Sequence, residues 1–105
     1  MPGVTASPPG WTFLSNHGHV LVSLAADPEA RVREIADRVG ITERSVQMIL
    51  GDLEKAGYVV RERVGRRNHY TVVDRGRFRH PLEGHVRVGD FLALVVRDRA
   101  PADPA

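Results

Sequence analysis

Val39-Gly40-Ile41-Thr42-Glu43-Arg44-Ser45-Val46 is the stretch whose reading decides the fold. Gly40 stands just past the end of an apolar stripe, where a helix closes on a left-handed residue that is cheap only without a Cβ. Ile41 is the apolar plug between two helices. Thr42 is a good N-cap, because its hydroxyl accepts from an orphan N–H of the following helix. The stretch therefore reads as a turn between two helices.

Upstream, Arg31–Val39 reads as a short helix, with Arg31-Val32 also a candidate for a brief strand at its start. Val32, Ile35, Ala36 and Val39 fall at i, i+3, i+4 and i+7, one apolar stripe. Downstream, Glu43–Ala56 is the next helix, ended by Gly57. Val46, Ile49, Leu50 and Leu53 repeat the same spacing and face the core. The opposite stripe is Arg44, Gln47, Met48 and Gly51.

Further out, Asn16 is a candidate N-cap and Asp27-Pro28 a stop. His17–Ala26 runs between them, and its second half is apolar on nearly every face, which marks a helix buried on more than one side. One of those sides is a candidate subunit interface. After Gly57, Tyr58–Val64 and His69–Val73 are β-branched and aromatic, joined by Gly65-Arg66-Arg67-Asn68. They predict a hairpin with a basic tip, with Tyr70 and Val72 on the core face. Asp74–His80 is a basic connector and His80–Gly84 a turn. Val88, Phe91, Leu92, Val95 and Val96 mark an amphipathic last helix. Met1–Gly10, with three prolines, two glycines and no charge, reads as a loose arm. Trp11 and Phe13 after it are apolar enough to dock, on their own subunit or on a partner's.

With 105 residues the chain forms one domain with a small core, and having no cysteine it has no disulfide to reinforce it. A second copy of the chain is the expected reinforcement. The lack of cysteine fits a reducing interior. No apolar run has the length of a membrane span, and the N-terminus lacks the pattern of a secretion signal. These features predict a cytoplasmic, nucleoid-associated protein with no membrane partner.

Net charge is only +2, but its distribution is uneven. Residues 27–57 hold five basic and seven acidic side chains, a net of −2. Residues 58–79 hold seven arginines against Glu62 and Asp74, a net of +5. All but one of the 15 basic residues are arginine, the type suited to bidentate contacts with phosphate and guanine. An arginine-favouring codon usage accounts for the ratio but not for the clustering.

The predicted fold is mainly α with a small β-hairpin (α+β): a winged helix-turn-helix with an extra C-terminal helix. Leu53-Glu54-Lys55-Ala56-Gly57-Tyr58-Val59, then Arg61, Arg63 and Gly65-Arg66-Arg67-Asn68-His69-Tyr70, resembles the helix-to-wing passage of bacterial MarR/ArsR-type transcriptional regulators. Arg33–Ala36 through Ile41–Val46 resembles their helix-turn-helix. His80–Glu83 and Val88–Leu92 resemble the tail of small actinobacterial members of this group. The expected organisation is an arm over 1–13, a winged helix-turn-helix DNA-binding domain over 14–75, a connector with a C-terminal packing or dimerisation helix over 76–97, and a tail over 98–105.

A recognition helix enters the major groove with the side chains near its N-terminus at the base edges. Arg44, Ser45, Gln47 and Met48 occupy that end. Arg44 can fork onto guanine N7 and O6, Gln47 onto adenine N6 and N7, and Met48 can lie against a thymine methyl. Thr42 and the nearby amides can take a phosphate. Arg44 opposes the helix dipole in the first turn, where stability alone would not put a cation. Gly51 weakens the helix on its outer stripe, the mark of close approach by another surface. Arg66, Arg67 and Asn68 are the expected phosphate or minor-groove contacts of the wing.

The five histidines read as solvent-facing or capping, with a zinc or nickel site of His with Asp or Glu across a dimer as the alternative; His17 and His19 are two apart and share no helix face. ArsR-type proteins sense metals mainly through cysteines, which are absent here. No metal, cofactor or catalytic residue is expected, since no phosphate-binding glycine loop or nucleophile elbow is present. A small-molecule effector is left unassigned. The predicted function is a sequence-specific double-stranded DNA-binding regulator acting as a homodimer. Two other readings stay open, a winged helix that binds a protein and a sequence-tolerant DNA-coating protein.

Overall fold

The computed structural model describes residues 10–96. The expectations for Met1–Pro9 and for the tail from residue 97 lie outside the described residues. The element order is α1 (Asn16–Ala26), α2 (Val32–Val39), α3 (Glu43–Lys55), β1 (Val59–Val64), β2 (Arg67–Val72) and α4 (Val88–Val95). Three helices, then a hairpin wing, then a further helix make an α+β winged helix-turn-helix, as the sequence predicts.

The helix ends follow local chemistry. Ser15, not Asn16, caps α1, its side chain accepting from the Gly18 amide at 3.3 Å. The brief strand at Arg31-Val32 does not form: Arg31 is instead the N-cap of α2, and its amide donates to Glu34 Oε1 at 2.8 Å. Gly40 takes the left-handed conformation at φ 84° and its amide donates to Ala36 O at 2.8 Å, closing α2. Ala56 caps α3, and Gly57, also left-handed at φ 84°, turns the chain into the wing.

The core is one cluster. Val20, Leu21 and Leu24 of α1 meet Ile35 and Ala36 of α2 and the inner row Val46, Ile49, Leu50 and Leu53 of α3. Ala25 of α1, Val59 of β1, Val88 and Leu92 of α4 and Val96 at its end complete it, and Ile41, Tyr70 and Val72 pack on it half-buried. α1 touches α2, α3, β2 and α4, which explains why its sequence is apolar on most faces. The last helix departs from its predicted stripe at one position. Val95 is left 46% exposed, whereas Val96, the C-cap of α4, is buried in the core at 6%.

The connector is ordered by pairing with itself. Phe78 N donates to Val86 O at 3.2 Å beside an antiparallel bridge between Arg77 and Arg87. Val88 N donates to Gly76 O at 2.7 Å and Gly89 N to Asp74 O at 2.9 Å, so the first turn of α4 is satisfied by the end of the wing. The Tyr58 hydroxyl donates to Arg77 O and holds the same strip from the other side.

Candidate nucleic-acid interface

The site is built on α3 and on what flanks it. Thr42 Oγ1 accepts from Ser45 N at 3.0 Å and donates to Ser45 Oγ at 2.9 Å. The Thr42 hydroxyl is thus committed to the turn, and the proton left for an incoming acceptor is that of Ser45. The inner row of α3 is buried, which turns Arg44, Gln47 and Met48 outward, all exposed, Met48 to 66%. Lys55 lies on this side too, about three turns beyond Arg44, and is exposed. The sequence stripe stopped at Gly51 and missed it; counting one more helical turn finds it.

At about 100° per residue, the outward face is centred on Arg44, Met48, Gly51 and Lys55, with Gln47 and Glu54 on one flank and Asp52 on the other. Asp52 meets His17 of α1, Nε2 to Oδ2 at 2.9 Å. The Gln47 flank borders an open groove of about 440 Å³ between α3, the start of α2 and the wing. Arg31, Arg61, Arg67, Asn68 and Tyr70 line it. Its one lining carboxylate, Glu54, faces Arg61 Nε at 3.5 Å, so the groove keeps a positive excess. At Gly51 an added Cβ would meet nothing within 4 Å beyond its own helix and chain neighbours, so no neighbouring element requires the glycine.

The wing corrects the sequence reading. Val64 pairs with Arg67, so the turn is only Gly65-Arg66, with Gly65 left-handed at φ 63°. Hairpins favour such two-residue turns because their twist matches that of the strands. Only Arg66 of the predicted trio is at the tip. Arg67 is the first residue of β2, and its Nη2 donates to Glu29 O at 2.8 Å. Asn68 sits opposite Arg63 on the face that lines the groove. His69 Nε2 lies 3.0 Å from Glu29 Oε2, so its partner here is a carboxylate. Of the connector arginines, Arg77 Nη1 donates to His85 O at 2.9 Å, a structural role.

Among the described residues there is no cluster of three or more histidine, cysteine or acidic side chains able to hold a metal ion. Nor, among them, is any helix long and apolar enough to cross a membrane. The sequence pattern of the MarR family matches residues 12–67, more than half of the chain, from the approach to α1 to the start of β2. No curated protein matches the chain.

Proposed function

The chain belongs to the MarR family, whose members are non-enzymatic DNA-binding transcriptional regulators, and we propose that it acts as a homodimer reading double-stranded DNA sequence-specifically. α3 lies in the major groove. Arg44 forks onto guanine, Gln47 reads adenine, and Met48 covers a thymine methyl. The Ser45 hydroxyl, set by Thr42, donates to a phosphate beside the α3 amides. Arg66 carries the wing tip to the backbone or minor groove. Arg67 and Asn68 act from the strand, forming the wall of the basic groove that the phosphate chain follows. The two copies present their α3 helices to adjacent major grooves about 34–36 Å apart. Its place is the cytoplasm, on the nucleoid.

The observation that carries this reading is the outward row of α3. Arg44, Gln47 and Met48 are exposed together at the N-terminal end of a well-capped helix, beside a basic groove. The test is binding of genomic fragments, selected with the purified protein, against scrambled duplexes across a salt series. Selected fragments are expected to bind more tightly. Arg44→Ala is expected to lose about 1–3 kcal/mol of discrimination at one base position. Equal affinity for selected and scrambled duplexes would leave a DNA-coating protein, and no binding at low salt a protein-binding one. Unchanged discrimination in Arg44→Ala removes Arg44 from direct readout.

A further inference from the structure

Trp11 and Phe13 pack edge-to-face on each other, with centroids 5.3 Å apart and planes at 88°. Among the described residues they find little cover, being 73% and 94% exposed. Large aromatic side chains rarely stay in water, because each can remove about 150–250 Å² from it. The pair stands at the lip of an apolar groove of about 390 Å³, with Phe13 itself on the rim. Leu14, Leu21, Leu53, Phe78 and Phe91 form the walls, Phe78 and Phe91 again edge-to-face at 5.3 Å. Leu94 and Val95, 86% and 46% exposed, follow Phe91 by one turn of α4 and extend the apolar surface.

We propose that Trp11 and Phe13 are an exchange arm: in the homodimer, on which this inference rests, the pair of each copy seats on the groove and α4 surface of the other. Three observations select a second copy as the occupant. Arm and groove are adjacent on one chain, so a two-fold axis satisfies both at once with a self-complementary patch. Two rings cover about 300–500 Å². That is about half of the roughly 800 Å² per partner of a standard interface, and Leu94, Val95 and the groove walls add apolar surface to it. DNA is a poor occupant, because Leu53, which backs the groove, lies on the opposite side of α3 from Arg44, about 180° around the helix axis. The charges fringing the groove are mixed as well, Arg79 and His17 with Glu83.

Trp11 is the only tryptophan in the chain, so its fluorescence reports on the arm alone. Sedimentation velocity and tryptophan emission are measured on the full chain over the same dilution series. Emission is expected to shift to shorter wavelength along the curve on which the mass doubles. Trp11→Phe with Phe13→Ala, and separately Leu94→Glu, are expected to weaken dimerisation by about 10-fold or more while circular dichroism shows the folded state. A dimer with constant Trp11 emission, and with variants that dimerise like the parent, overturns the arm and leaves the homodimer reading standing. A monomer at tens of micromolar overturns both. An emission shift that requires duplex DNA and not concentration assigns the arm to DNA and overturns the exchange.

Discussion

Arg67 donates through Nη2 to the backbone carbonyl of Glu29, 2.8 Å away, and ties the wing to the α1–α2 connection. His69 on the same strand meets the Glu29 side chain at 3.0 Å. One residue of the connection thus holds β2 at two points. The adjacent arginines of the wing therefore have different duties, Arg67 inward and Arg66 at the tip.

Arg67→Ala is expected to lower stability by about 1 kcal/mol, the net worth of such a hydrogen bond. Arg66→Ala is expected to stay within about 0.5 kcal/mol of the parent, as surface changes do. In DNA titrations Arg66→Ala should flatten the salt slope by about 1. Equal thermal shifts for the two variants would contradict the register that separates them.

Thr42 both accepts from the Ser45 amide and donates to the Ser45 hydroxyl. Thr42→Ala is expected to cost about 1 kcal/mol through the lost N-cap, and Thr42→Ser to keep most of it. Urea denaturation of the two variants checks this. A Thr42→Ala protein as stable as the parent would mean that the turn is held by Gly40 and Ile41 alone.

Gly51→Ala meets open space, in a helix. Unfolding experiments should show a gain approaching about 1 kcal/mol, the difference in helix propensity. Binding to a selected DNA fragment should weaken at the same time, since the added methyl projects from the face proposed to approach the duplex. Tighter or unchanged binding would show that nothing comes close to Gly51.

Gly89→Ala should have the opposite sign. A Cβ there would stand 2.7 Å from Asp74 Cβ and 2.9 Å from Asp74 O. Because the Gly89 amide also donates to that oxygen, α4 cannot move away without losing the bond. A destabilisation of about 1–3 kcal/mol, typical of overpacking, is expected in the same unfolding assay. A neutral result would mean that α4 docks loosely on the wing.

How far the site was legible follows from the range of the interactions that build it. The outward row of α3 was readable because helical periodicity divides a sequence into faces without further information. Val46, Ile49, Leu50 and Leu53 are buried where that spacing puts them, and Arg44, Gln47 and Met48 are exposed. The wing was readable as a hairpin but not in register. Gly65-Arg66-Arg67-Asn68 can be a four-residue loop or a two-residue turn with two strand residues, and composition does not separate these. Pairing of Val59 with Val72 sets the register, and Val59 is there because it is buried in the core.

The sequence by itself determined the helices, the turn at Gly40–Thr42 and the presence of a wing, because caps, left-handed glycines and apolar periodicity act within a few residues. Only the tertiary structure decided which wing arginine points outward, since Arg67 is claimed by a carbonyl 38 residues away. It also decided that Gly89, unremarkable in sequence, must be glycine, and that Trp11 and Phe13 stand largely exposed against the described residues. Each of these depends on what a distant part of the chain brings close, and local preference carries no record of it.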